Sequence, residues 1–170
     1  SKFEYNNINS IIEQIENHRK SDGTSNVYAI IIEPFSASYL RSCDNEFLKK
    51  LKLLCVENEI LLIFDEIYTG WNKTGSRFNF LHSEIIPDIL TTSKSLGGGK
   101  ASISAYISTG DVLKKAYGNM KSATLHTTTY NGFGEECATA IEAINIMEEE
   151  NYREKSLNIE KITKNRCQQL

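Results

Sequence analysis

The 170-residue sequence has no surplus of basic residues and no long apolar run. Its formal net charge is −3, so it lacks the positive surface that binds nucleic acids or anionic membranes. The longest apolar runs, at 29–32 and 60–64, are too short to span a bilayer, and the polar N-terminus is unlike a secretion signal. We therefore expect a cytoplasmic protein without nucleic-acid or membrane partners.

Residues that commonly hold metals are also few and scattered. The four cysteines, Cys43, Cys55, Cys137 and Cys167, form no C-x-x-C pair, and the three histidines do not cluster, which argues against a zinc site. Cys55 and Cys137 occur on apolar helical faces, where a thiol packs as a small hydrophobe. We expect free thiols in a reducing compartment and no metal.

Two kinds of hydrophobic pattern are present along the chain, which is 40% hydrophobic and 24% charged. Spacings of three and four residues predict amphipathic helices, whereas short β-branched apolar runs predict strands buried on both faces of a parallel sheet. The alternation of the two patterns predicts an α/β architecture. Helices are predicted at 6–19, after Asp44 as N-cap, at 133–150 and in the charged tail beyond 151, and strands at 27–32, 60–64, 88–93 and 102–108.

Polar residues follow three of the predicted strands. Glu33 follows the first strand, Asp65 ends the second, and Lys94 comes just after the third. In open α/β sheets ligands bind at the carboxyl ends of the strands. Taken singly, each residue has an ordinary structural explanation, as a capping carboxylate or a solvated lysine, but their convergence predicts a functional site.

The stretch "TTSKSLGGGK" at 91–100 invites comparison with a phosphate-binding P-loop. That loop needs the pattern G-x-x-x-x-G-K-[ST]. Here Lys94 occupies the position of the first glycine, and Ala101 follows Lys100. The spacing argues against a P-loop, and we predict that the glycines form a turn between two strands.

Two longer stretches carry a more specific resemblance. "LLIFDEIYTGWNKTG" followed by "PDILTTSKSLGGG" resembles the class III aminotransferases, part of the fold-type I family that uses pyridoxal phosphate. Asp65 and Lys94 are 29 positions apart, with Pro-Asp between them as in the family. The upstream "AIIIEP" and the downstream "LHTTTYNG" also resemble family segments, so that the resemblance covers residues 27–150.

The resemblance implies the fold, the cofactor and two catalytic residues. It implies part of a three-layer α/β/α large domain with a mostly parallel sheet. Lys94 would form the internal aldimine with pyridoxal 5′-phosphate and transfer a proton, because a primary amine does both. Asp65 would hold the pyridine nitrogen protonated, which a nearby carboxylate favours.

Four further residues match the family by position. Ile67 matches a valine that packs on the cofactor ring, and Thr129 matches a threonine that reaches the cofactor phosphate across a dimer interface. Tyr68 replaces a glutamine that contacts the cofactor's phenolic oxygen, a contact that a tyrosine hydroxyl can also make. Glu33 matches a glutamate near the substrate, with a strand-end salt bridge as the structural alternative.

The sequence departs from the family in several places. "FSASYLRS" after Glu-Pro contains no glycine, Lys73 replaces an arginine, and 35 positions separate Lys94 from Thr129. The family's phosphate loop, ring-stacking aromatic and substrate-binding arginine belong to segments that we do not find. We therefore expect residues 1–170 to be one partial domain, the central part of the large domain, and inactive alone.

The resemblance implies transamination between an amino acid or amine and a 2-oxo acid or aldehyde. It also implies a homodimer whose active site lies at the subunit interface. Two alternatives stay open: an aminomutase or racemase that uses the same cofactor, and a truncated folding or interaction module without catalysis.

Overall fold

The computed structural model describes residues 1–169 and places five α-helices and six β-strands among them. The helices are α1 (Ile8–Asn17), α2 (Asn45–Glu57), α3 (Gly110–Tyr117), α4 (Gly134–Glu149) and α5 (Tyr152–Cys167). The strands are β1 (Ala29–Ile32), β2 (Phe35–Ser36), β3 (Arg41–Ser42), β4 (Leu61–Asp65), β5 (Ile89–Thr92) and β6 (Ala105–Ser108). Two short 3₁₀ helices cover Asn79–His82 and Lys94–Gly97.

Four strands form one sheet in the order β1-β4-β5-β6. The β1–β4 and β4–β5 pairs are parallel, and β5–β6 is antiparallel. Strands β2 and β3 form a separate two-stranded antiparallel sheet. The predicted α/β class with a mostly parallel sheet is confirmed, as are all four predicted main strands.

The helix starts show two different capping arrangements. The Asn7 side chain accepts hydrogen bonds from the backbone N–H groups of Asn9 and Ser10 at 3.1 and 3.3 Å, which satisfies two free donors of α1. Asp44 occupies the predicted N-cap position of α2, but its side chain makes no capping hydrogen bond. The helix boundary was therefore predicted correctly, although the side chain does not cap it.

Helices α1 and α2 pack on one face of the sheet and form the main core. Leu51 and Cys55 of α2 are fully buried against Leu62 and Phe64 of β4. Burial raises the pKa of the Cys55 thiol to about 12, so this thiol behaves as an apolar core group. The four cysteines are free, as predicted.

The prediction that the first strand is buried on both faces is wrong. Burial alternates along β1: Ile30 and Ile32 face the core, whereas Ile31 is 55% exposed. Tyr106 on β6 is also exposed. A continuous apolar run reports the composition of a strand, and it does not report which faces its neighbours cover.

Within residues 1–169, no helix is long and apolar enough to cross a membrane.

Two leucines of α2 provide a matched test of this core. Leu51 is 0% exposed and Leu53 is 62% exposed. We expect Leu51→Ala to lower the free energy of unfolding by about 2–5 kcal/mol, because it leaves a cavity. Leu53→Ala, on the solvent side, should change it by less than about 0.5 kcal/mol. Urea unfolding followed by circular dichroism measures both, and equal losses would contradict the proposed packing of α2.

Candidate functional site

Three predicted site residues follow neighbouring strands at the same end of the sheet. Strands β1, β4 and β5 are neighbours and run parallel, so their carboxyl ends meet. Glu33 follows β1 directly, Asp65 is the last residue of β4, and Lys94 lies two residues after the end of β5. The predicted convergence of these strand ends is observed.

The Asp65 carboxylate is oriented by its own chain. Its Oδ1 accepts a hydrogen bond from the backbone N–H of Ile67 at 2.9 Å. Asp65 pairs in register with Thr91 of β5, so both side chains point to the same face of the sheet. The Thr91 hydroxyl oxygen is buried and has no hydrogen-bond partner within residues 1–169. A half-buried carboxylate and an unsatisfied hydroxyl therefore lie side by side, and both can receive a polar ligand.

Lys94 is exposed and adopts an uncommon backbone conformation. Its φ angle is +47°, in the left-handed region, which costs a residue other than glycine about 1–3 kcal/mol. Such conformations concentrate at functional sites. The Nζ atom lies 4.9 Å from the centre of the Tyr68 ring.

The glycines after Lys94 form the predicted turn, and one of them also permits a close contact. Backbone N–H groups of Lys100 and Ala101 donate to the Gly97 carbonyl at 2.9 and 3.0 Å. Gly98 has a φ of +60°, and a Cβ placed there would lie 2.8 Å from the Cβ of Ala143. The glycine therefore allows α4 to pack closely against the turn that carries Lys94.

Glu66, next to Asp65, holds the following loop in place. Its side chain is fully buried. The carboxylate accepts hydrogen bonds from the backbone N–H groups of Asn79 (2.5 Å) and Phe80 (2.8 Å) and from the Thr69 hydroxyl (3.0 Å). Burial raises the pKa of Glu66 above its ordinary value, and these three donors oppose the rise only in part. The sequence pattern did not assign this role, because the two backbone donors lie 13 and 14 residues away.

The segment "GWNKTG" is tied to β5 by a side-chain contact. Trp71 Nε1 donates to the Thr92 hydroxyl at 2.8 Å. Trp71 and Asn72 have φ angles of +61° and +69°. Asparagine tolerates this conformation better than most residues. Asn72 therefore suits its position in this loop.

The remaining predicted residues are placed differently. Ile67 lines a groove of about 880 Å³ together with Thr91 and Tyr106. Thr129 is exposed and does not line that groove. Glu33 accepts from the backbone N–H of Ala37 at 2.9 Å; within residues 1–169 it forms no ion pair. The strand-end salt bridge considered for Glu33 is therefore replaced by a backbone hydrogen bond.

Comparison with known proteins gives relatives of one family. The family model described as aminotransferase class-III matches residues 1–170. The chain is 34% identical over 158 residues to an ornithine aminotransferase of Oceanobacillus iheyensis, covering 92% of this chain and 36% of that protein. It is 33% identical over 155 residues to the adenosylmethionine-8-amino-7-oxononanoate aminotransferase of Helicobacter pylori, covering 89% of this chain and 34% of that protein.

A solved structure agrees with these relatives. The ornithine aminotransferase of Toxoplasma gondii, described with partial occupancy of PLP at its active site, superposes with a TM-score of 0.72 and 29% identity. The match covers 88% of this chain and 32% of that one. The chain thus spans about a third of the length of the proteins that it matches, and its fold is that of fold-type I aminotransferases.

The role of Glu66 can be tested with Glu66→Gln. An amide has one acceptor oxygen, so one of the backbone donors, Asn79 or Phe80, loses its partner. We expect the free energy of unfolding to fall by about 1–3 kcal/mol, measured by urea denaturation at pH 7. Glu57→Gln, on the exposed side of α2, is the control and should change little. Equal effects of the two variants would contradict the role of Glu66.

The same variant tests the pKa of Glu66. A folded-state pKa raised above the ordinary value of about 4.3 stabilises the fold fully below that value, and this contribution is lost as pH rises through the folded-state pKa. Wild type should therefore lose stability relative to Glu66→Gln over that pH range. A relative gain would show that the three hydrogen bonds outweigh burial.

Proposed function

Since the chain belongs to the class III aminotransferase family, we propose that it is the central part of a pyridoxal-phosphate-dependent transaminase. The reaction transfers an amino group from an amino acid or amine to a 2-oxo acid or aldehyde. The observation that carries the proposal is the position of Asp65 and Lys94 at neighbouring carboxyl ends of the parallel strands β4 and β5. The matched relatives are named for different substrates, so the proposal concerns the reaction class.

The residues present fit the cofactor chemically. Lys94 provides an exposed primary amine, Asp65 an oriented carboxylate, and Ile67 an apolar wall of the adjacent groove. The buried hydroxyl of Thr91 has no hydrogen-bond partner within residues 1–169 and is free to bind a polar group of a ligand. When bound, pyridoxal phosphate supplies a ring that accepts the electron pair released at the substrate Cα.

Lys94 would hold the cofactor covalently through Nζ and later accept the proton from the substrate Cα. A lysine performs both tasks because its amine is a nucleophile and also a base. Its left-handed backbone and the close packing of Gly98 on Ala143 fix the turn from which the side chain projects. The amine therefore starts from a defined point of the sheet edge.

Asp65 would accept a hydrogen bond from the protonated pyridine nitrogen of the cofactor. The Ile67 N–H occupies Oδ1 and fixes the plane of the carboxylate. A hydrogen bond between charged groups is worth about 1.5–3 kcal/mol. The same backbone turn places Ile67 beside the groove, where it would pack on the ring.

The other assigned roles complete the proposal. Tyr68 would contact the phenolic oxygen of the cofactor, and Glu33 would lie near the substrate. Thr129 would reach the cofactor phosphate of a second subunit, which its exposed position favours. We thus propose a homodimer with active sites at the subunit interface. The free thiols support a cytoplasmic location, and we propose that catalysis requires the whole protein.

The assignment of Lys94 is tested by chemical trapping. The full-length protein is incubated with pyridoxal phosphate, reduced with borohydride and mapped by peptide mass spectrometry. We expect the label on Lys94 and its loss in Lys94→Ala. Lys100→Ala is the matched control from the same turn and should keep the label. Label on Lys100 or on scattered lysines would exclude the assignment.

The role of Asp65 is tested with Asp65→Asn, which removes the charge and keeps an oxygen for the Ile67 N–H. We expect transamination to slow by roughly 10- to 150-fold, as the loss of about 1.5–3 kcal/mol predicts. Borohydride trapping on Lys94 should persist. Asp111→Asn on the exposed surface of α3 is the control. An unchanged rate in Asp65→Asn would contradict the role.

A further inference from the structure

Side chains from three segments of the chain meet at the ring of Tyr68. Phe35 is the first residue of β2, Tyr68 follows β4, and Lys94 follows β5. The rings of Phe35 and Tyr68 are nearly parallel, with an interplanar angle of 12° and centres 6.4 Å apart. The Lys94 Nζ lies 4.9 Å from the centre of the Tyr68 ring. The stack connects the amine of the proposed site to the start of β2.

The contact between Lys94 and Tyr68 depends on charge. The face of an aromatic ring carries negative potential and attracts a cation within about 6 Å of its centre. A neutral amine is attracted far less. Because Lys94 and Tyr68 are both partly open to water, the attraction should favour the position of the ammonium over the ring by about two- to five-fold.

Phe35 gives the Tyr68 ring its orientation. Tyr68 is 40% exposed, so the loop backbone alone leaves its side chain room to rotate. Phe35 is half-buried and its ring is nearly parallel to that of Tyr68, an arrangement that aromatic pairs commonly adopt. Removing Phe35 would allow Tyr68 to turn and would weaken its contact with Lys94.

We propose that Phe35 and Tyr68 form an aromatic platform that holds the Lys94 ammonium before the cofactor binds, with Phe35 as a positioning residue. The platform keeps the amine at the carboxyl ends of the strands, over the ring of Tyr68. Its catalytic meaning rests on the proposed function, but the contact itself requires no cofactor.

The test measures how fast Lys94 is acetylated without pyridoxal phosphate. The full-length protein receives a short pulse of an N-hydroxysuccinimide ester of acetate, and mass spectrometry gives the ratio of labelling at Lys94 to that at Lys100. Lys100 is an exposed internal reference from the same turn. Tyr68→Leu should raise the ratio about two- to five-fold, whereas Tyr68→Phe, which keeps the ring, should leave it unchanged.

Variants of Phe35 test the positioning role. Phe35→Leu should raise the same ratio, whereas Phe35→Tyr, which keeps a stacking ring, should leave it at the wild-type value. A general loss of packing would raise labelling at Lys94 and Lys100 together and would not move the ratio. An unchanged ratio in Tyr68→Leu would overturn the platform, as would an equal rise in Tyr68→Phe.

A measurement on the wild-type protein does not depend on the folding of any variant. Lysines are reductively methylated with ¹³C-formaldehyde and a borane reductant, and the N-methyl resonances are recorded by NMR. The ring current of Tyr68 should move the Lys94 signal upfield relative to Lys100. Coincident signals would overturn the contact.

These outcomes separate the platform from the proposed function. If pyridoxal phosphate is trapped on another lysine while Tyr68→Leu still raises acetylation of Lys94, the platform stands and the cofactor assignment fails. If trapping occurs on Lys94 and Tyr68→Leu has no effect, the assignment stands and the platform is overturned.

Discussion

The parallel pairing of β4 with β5 is the constraint on which the site depends. It places Asp65 beside Thr91 and brings Lys94, two residues after the last residue of β5, to the same end of the sheet. Two groups that are 29 positions apart in sequence thereby become neighbours at one end of a sheet. The pairing in turn depends on Leu62, Phe64 and Leu90, whose buried side chains anchor both strands against α1 and α2. The strands that carry the candidate site residues therefore also carry the core.

The loops around the edge are supported from inside the protein. Glu66 binds two backbone N–H groups of the loop that follows β4, and Trp71 donates to Thr92 at the end of β5. These contacts bind the loop to the strands that carry Asp65 and Lys94. The same loop contains two left-handed residues, Trp71 and Asn72. Precise placement of reacting groups requires such support from the surrounding residues.

Much of the fold could be predicted because its signals are local. Helical spacing in α1, α2 and α4 and short apolar runs in β1, β4 and β5 identify the elements, and polar residues at strand ends indicate the site. Exposure of Ile31 could not be predicted, because it depends on what covers the outer face of β1. The antiparallel direction of β6 could not be predicted either, because the sequence of a four-residue strand does not indicate how the strand pairs with its neighbour.

For the candidate site, the sequence predicts residue types and roles but not their geometry. The spacing of Asp65 and Lys94 and the motif around them indicate a cofactor lysine and its partner carboxylate. The left-handed backbone of Lys94, the buried hydrogen bonds of Glu66 and the stacking of Phe35 on Tyr68 arise only when distant segments meet. The role predicted for Thr129 concerns a second subunit, so the geometry of a single chain does not test it.

The most direct test of the central claim is a crystal structure of the full-length protein with pyridoxal phosphate bound. We predict continuous density from Lys94 Nζ to the cofactor, with an Asp65 carboxylate oxygen at about 2.7–3.2 Å from the pyridine nitrogen. Attachment of the cofactor to another lysine, or a pyridine nitrogen remote from Asp65, would contradict the claim that these two strand ends form one site.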